Sequence, residues 1–301
     1  MKDNKIKKLI LLVFAYFIAL NNVNSSNIAV SIKPLYSLIY MLVDNTDNLN
    51  LIVNDNSSIH DIDLTINQVK LIESSDIVII LSKSMESSLY KIAKKGKTII
   101  VLDEVLNDVL YDTDYTSFSD SKKTNAKLKD YHFWLDIQKN KIMLQKLSNI
   151  LIKQNPHNKN KYEKNLAYAI KELDLLDLEL KQLLNKNIKH FMTYHNGWQY
   201  FILYYNLTSK GNIVIDSNSH HNADTQLSVK TLIELQKYII KNNVKCIFSD
   251  YNFGDSALIE LIKKENISNY ILDEIGQNMP INKDLYANMM KKNIQEINKC
   301  I

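Results

Sequence analysis

Four side chains able to bind a metal stand far apart in this 301-residue chain: His60, His132, His195 and Asp273. Each histidine falls where an apolar strand or a loop gives way to a helical pattern, and Asp273 follows a later apolar strand. Neutral imidazoles plus one carboxylate form a nitrogen-rich set of four donors. Such a set suits tetrahedral Zn2+ better than the all-oxygen cages of Ca2+ or Mg2+. The alternatives at each position are bland: a loop histidine at His60, a helix N-cap at Asp273. His195, at the tip of a buried strand and followed by the turn Asn196-Gly197, is the best placed of the seven histidines. His220 and His221 form a solvated loop pair, and His157 and His190 carry no assigned role.

For such distant residues to meet, the chain must bring strand ends together. Residues 27–30, 49–53, 76–81 and 97–102 read as short buried strands separated by helical patterns, and 190–194, 212–215, 245–249 and 269–272 repeat that grammar. Alternation of this kind predicts α/β lobes, each with a mainly parallel sheet flanked by helices, and sites at the carboxyl ends of the strands. Between the lobes, Leu166, Ala169, Leu173, Leu176, Leu180 and Leu183 recur at helical spacing with no Gly or Pro. One long rigid helix is expected there. The boundaries read as an N-terminal lobe over 27–156, a linker helix over 157–187 and a C-terminal lobe over 188–301. Locally, Thr65-x-x-Gln68 has the form of a capping box and Asp136 that of an N-cap. The polar stretch from Tyr111 to Lys129 reads as a mobile loop ending at His132, and Trp134 as core.

The N-terminus sets the compartment. Lys2, Lys5, Lys7 and Lys8 precede an uncharged apolar run over 9–20 and then small polar residues, the build of a secretory signal peptide over 1–26. That run is too short to span a bilayer, which takes roughly 20 apolar residues, and no cysteine follows it for lipid attachment. A cleaved, periplasmic protein is expected. In an oxidising compartment the two cysteines, Cys246 and Cys300, read as a disulfide. Of the charges, 37 are basic and 33 acidic, nearly balanced once the lysines of the leader are removed, so there is no electrostatic footprint for nucleic acid. Every basic residue is lysine, so forked guanidinium recognition of phosphate is absent, and five glycines offer no phosphate-cradling loop or nucleotide site.

The order of Ser31-Ile32-Lys33-Pro34-Leu35, His60-Asp61, His132-Phe133-Trp134-Leu135, a long central helix, Tyr194-His195, Cys246-Ile247-Phe248, Leu272-Asp273 and Cys300 resembles the zinc-binding proteins of bacterial high-affinity zinc ABC importers, the ZnuA family. The resemblance spans nearly the whole chain after the leader. It implies two lobes on a rigid helix, metal held in the cleft by His60, His132 and His195 with Asp273 or water fourth, and delivery of Zn2+ by a monomeric carrier to an inner-membrane ABC permease. Manganese- and iron-binding relatives typically carry a carboxylate where His195 stands, which favours zinc here and leaves those metals as the alternative. Two departures are that residues 112–130 hold no histidine and that Ile59 stands where some members have a carboxylate. A zinc hydrolase or a surface adhesin on the same scaffold are further readings. Neither HExxH nor GxSxG occurs to support the hydrolase.

Overall fold

The computed structural model describes residues 25–43, 47–53, 64–113, 129–213, 227–251 and 255–301. The first sheet is built from β1 (Asn27–Val30), β2 (Asn48–Leu51), β3 (Ile77–Ile80) and β4 (Thr98–Val101) in the order β2-β1-β3-β4. The second repeats the pattern with β5 (Phe191–Thr193), β6 (Ser209–Asn212), β7 (Cys246–Ser249) and β8 (Ser268–Ile271) in the order β6-β5-β7-β8. Every pairing within the two sheets is parallel. The reason lies in composition. A run such as Ile77-Val78-Ile79-Ile80 is apolar on both faces and fully buried, which only a sheet covered on both sides accommodates.

The covering helices of the first lobe are α1 (Lys33–Val43), α2 (Ile66–Ser74), α3 (Ser87–Ala93), α4 (Leu102–Val105) and α5 (Ile137–Gln154). The long helix α6 (Lys159–Leu183) follows, then α7 (Gln199–Tyr204), α8 (Val229–Lys241), α9 (Ser256–Lys264) and α10 (Leu285–Ile297). The expected caps are present. Thr65 and Gln68 form the reciprocal capping box on α2, and the Asp136 carboxylate accepts the first amides of α5. Three helices of the second lobe, α7, α8 and α9, are followed by Asn206, Asn243 and Asn266, each at φ 52°. Beyond each, the next amide (Leu207, Val244, Ile267) reaches back to Ile202, Ile239 or Ile262. Asparagine tolerates this left-handed position well enough to stand in for glycine.

Helix α6 is the spine. At 1.5 Å per residue its 25 residues run about 38 Å. One face, with Tyr162, Ala169, Leu173, Leu176 and Leu180, is buried in a core that also takes Leu38 of α1, Leu147 of α5, Met290 of α10 and Phe191 and Phe248 of the second sheet. One continuous apolar cluster thus joins both lobes through the helix, while smaller clusters cover the outer faces of the two sheets. Two details differ from the periodicity. Leu183 is exposed at the last turn, and the buried Asp177 accepts from Lys181 and the Tyr204 hydroxyl. Of the strand expected at 212–215, residues 214 and 215 lie outside the described residues; β6 runs over Ser209–Asn212, its polar residues pairing at the edge of the sheet where apolar content is not required. No described helix is long and apolar enough to cross a membrane. Cys246, at the start of β7, is bonded to Cys300 just beyond α10, stapling the last helix to the second sheet.

Candidate metal centre

His132 opens the short 3-10 turn Phe133–Leu135 that leads into α5. Its backbone amide and its Nδ1 both meet Asp130 Oδ1, at 2.9 and 2.8 Å, so one carboxylate two residues upstream fixes ring and main chain together. The second lobe holds this segment in turn. The Tyr200 hydroxyl donates to the Asp130 carbonyl at 2.9 Å and accepts from the Tyr111 amide at 2.8 Å, with the two tyrosine rings stacked.

His195 caps the carboxyl end of β5. Its Nδ1 lies 2.7 Å from Asp250 Oδ2, and Asp250 follows β7, the strand paired beside β5 through Thr193 and Phe248. Both imidazoles therefore turn Nε2 inward, and the rings approach edge to face with centroids 5.6 Å apart. Gly197, inside the next 3-10 turn, is required by closeness. A Cβ built there would stand 2.3 Å from His195 Nε2 and 2.9 Å from Glu274 Oε2. The backbone leaves a hollow at the point where the inward atoms converge.

The third inward group belongs to Glu274. Its Oε2 lies 3.2 Å from His195 Nε2 and 3.9 Å from His132 Nε2. Among the described residues, His132, His195 and Glu274 offer ligand atoms that all lie within 4.8 Å of one another. The expectation placed the carboxylate at Asp273, and the geometry shows that residue in a different position. Its oxygens accept the amides of Ile275 and Gln277 at 3.0–3.2 Å. The Asp273 carboxylate folds the turn, and the turn aims its neighbour. Buried Asn293 completes the support with two bonds to the Asp273 backbone, accepting its amide at 2.8 Å and donating to its carbonyl at 2.7 Å.

The donors fit a tetrahedral ion. Zinc bonds of roughly 2.0–2.1 Å put neighbouring donor atoms about 3.3 Å apart, near the His195 to Glu274 separation. His132 Nε2, at 3.9 Å from the same carboxylate oxygen, stands further out and must draw in to complete that spacing. Metal-bound histidines ordinarily give their second nitrogen to a carboxylate or carbonyl, and both imidazoles here do so. Burial is the largest influence on each and disfavours the imidazolium. For His132 the Asp130 bond, and for His195 the charges of Asp250 and Glu274, outweigh it, so His132 is raised and His195 raised well above the ordinary value. The Asp273 carboxyl is raised too, by burial that its amide bonds only partly offset.

His60, the pair His220 and His221, and the stretch from 114 to 128 lie outside the described residues. His190 Nδ1 sits 3.1 Å from the Asn242 carbonyl, a packing role. Reading residue types missed Glu274, Asp250, Gly197 and Asn293. Only Asp130 left a local trace, the spacing Asp130-x-His132.

Two α/β lobes on a helical spine, with donors from each lobe meeting beside the strand ends, define a metal-binding solute-binding protein. A family model described as zinc-uptake complex component A, periplasmic (ZnuA), matches residues 28–300, and the chain belongs to that family. The High-affinity zinc uptake system protein ZnuA of Buchnera aphidicola subsp. Schizaphis graminum is 24% identical over 318 residues, covering all of this chain and 98% of that protein. Among solved structures, a crystal structure of ZnuA superposes with a TM-score of 0.73 at 19% identity, over 92% of this chain and 99% of that one. The solute-binding protein FpvC of P. aeruginosa in complex with Ni2+ does so at 0.73 and 18%, over 92% and 97%. At such identities the structural likeness speaks to the fold.

Proposed function

We propose that the protein captures Zn2+ between a lobe spanning 27–156 and one spanning 188–301, and hands it to an ABC permease of the inner membrane. The observation that carries this reading is the meeting of His132 and His195 from opposite lobes, each with Nδ1 on a carboxylate and Nε2 turned toward Glu274. His60 supplies the fourth donor, and Glu274 takes the place first given to Asp273, whose oxygens are engaged by backbone amides. Export through a signal peptide over 1–26 puts the protein in the periplasm. It acts as a monomer, with Zn2+ as cargo and not as a catalytic ion, because both imidazoles are about 4% exposed and leave little access for a reacting substrate.

A second reading is a manganese, iron or nickel carrier, favoured by the likeness to a protein solved with Ni2+. The donor set argues against manganese, since imidazole nitrogen prefers Zn2+ to Mn2+ in the affinity order of divalent ions. Metal analysis of protein purified without added metal, followed by Zn2+/Mn2+ competition, tests the choice. Zinc should win strongly at neutral pH, and His195→Glu should narrow the gap. Preference for Mn2+ in the unaltered protein would overturn the reading. A permease-dependent uptake assay separates the carrier from an adhesin on the same scaffold.

A further inference from the structure

The turn that carries Glu274 is held from both sides of the cleft. On its own side, Asn293 grips the Asp273 backbone and the Asp273 carboxylate closes the turn onto Ile275 and Gln277. From the first lobe come two further bonds. The Trp134 indole Nε1 donates to the Glu274 carbonyl at 2.8 Å, and the Lys33 ammonium donates to the Gln277 carbonyl at 2.8 Å. Trp134 is itself fixed, with no exposed surface and its carbonyl accepting from Asn140 at 2.7 Å and the Tyr286 hydroxyl at 2.9 Å. Lys33 is 4% exposed, an unusual position for an ammonium and one tolerated only where its donors are taken up.

We propose that Trp134 and Lys33 are positioning residues for the metal site: they latch the Glu274 turn to the first lobe and thereby set how fast bound metal leaves. This rests on the reading of Glu274 as a ligand. The argument is one of preorganisation. A carboxylate on a turn that crosses a cleft would sample many positions if tied only to its own lobe, and a ligand that must be ordered on binding binds more weakly and departs sooner. Trp134 follows His132 by two residues, and its indole reaches the main chain of Glu274 itself, so the spacing between the first-lobe imidazole and the second-lobe carboxylate is fixed through Trp134. Lys33 fixes the far end of the same turn. Opening the cleft for release must then break both bonds.

The test is a chelator chase of zinc-loaded protein lacking residues 1–26, followed by stopped flow, on Trp134→Phe, Lys33→Met, Glu274→Gln and the two pairings with Glu274→Gln. Removing partners that orient a metal ligand typically costs 10–100-fold in affinity. Each latch variant should therefore release zinc about tenfold faster. In the Glu274→Gln background neither should add more than about twofold, since contributions made through one group are not additive. Circular dichroism checks folding, and if Trp134→Phe does not fold, Lys33→Met carries the same coupling test. Wild-type release from both latch variants alongside fast release from Glu274→Gln would overturn the latch and leave the site intact. Full additivity in the Gln background would also overturn it, as the effect would then bypass Glu274. Unchanged release from Glu274→Gln would instead remove the carboxylate ligand on which the latch depends.

Discussion

The two imidazoles of the cleft are oriented by the same chemistry through opposite routes. His132 leans on Asp130, two residues before it, and the pair is set by one tight turn. His195 leans on Asp250, 55 residues later, and that pair exists only because β5 and β7 lie side by side. Environment differs as well: the Asp130 side chain is 1% exposed and that of Asp250 28%. A local pair keeps its own geometry when its segment shifts against the second lobe, a shift that here must break the Tyr200 bond to the Asp130 carbonyl. The non-local pair is anchored in a sheet and moves only with it. Metal entry and exit are therefore expected to shift the His132 segment while His195, Asp250 and Glu274 remain the fixed half of the site.

The largest effects should come from the fixed half. His195→Ala removes a donor, and Gly197→Ala puts a methyl group into the space at 2.3 Å from His195 Nε2. Each should weaken zinc binding by more than about a hundredfold, beyond the usual effect of an orienting partner. Titration calorimetry against His220→Ala and His221→Ala sharpens the point, and equal losses for all four would remove the assignment of His195.

Next come the orienting carboxylates. Asp130→Asn should cost more affinity than Asp250→Asn, within the range of about 10–100-fold, because the more buried charge is less screened and also holds a backbone amide. The reverse order would mean that the sheet-anchored pair, and not the local one, dominates the site.

A smaller, graded effect follows from protonation. Carboxylates hold both imidazoles above their ordinary value of 6.5, so protons compete with metal from a higher pH than for a free imidazole. Zinc affinity measured by chelator competition between about pH 8 and 5 should begin to fall above pH 6.5, and Asp250→Asn should move the fall toward acid. The sign for the metal-free protein is opposite. A raised folded pKa contributes stability that is complete below the unfolded value and lost as pH rises through the folded one. The rise in Tm on adding zinc should thus grow from acid to neutral pH. A constant increment would contradict the raised values.

The smallest effect on metal is expected where the effect on stability is large. Opening the Cys246–Cys300 bond, which closes 54 residues, should cost about 4 kcal/mol in the chain-entropy model, read as a lower Tm for Cys300→Ser. Zinc affinity should change little, since the bond lies at the start of β7 and the site beyond its end. A matching loss of affinity would show that the staple reaches the cleft.

Much of this protein was determined by sequence alone. Apolar runs bounded by turns placed seven of the eight strands within a residue or two, most clearly β1, β3, β5 and β7, which are buried on both faces and apolar nearly throughout. The edge strand β6, polar and carrying Gly211, left no such trace and was expected three residues late. The spine, the capping box, the Asp136 cap and the disulfide were legible because each depends on nearby residues or on the scarcity of one type. Sequence singled out His60, His132, His195 and Asp273 alike by their position at the ends of elements, and among the described residues His132 and His195 are the two that meet. What only the tertiary structure decided is which carboxylates face them. Asp273 and Glu274 are adjacent and chemically alike, and the choice between them depends on backbone amides from the same turn, on Asn293 and on Trp134 reaching across the cleft. Asp250 finds His195 through strand pairing. Such contacts join residues 20 to 140 positions apart, and no local pattern encodes a direction in space.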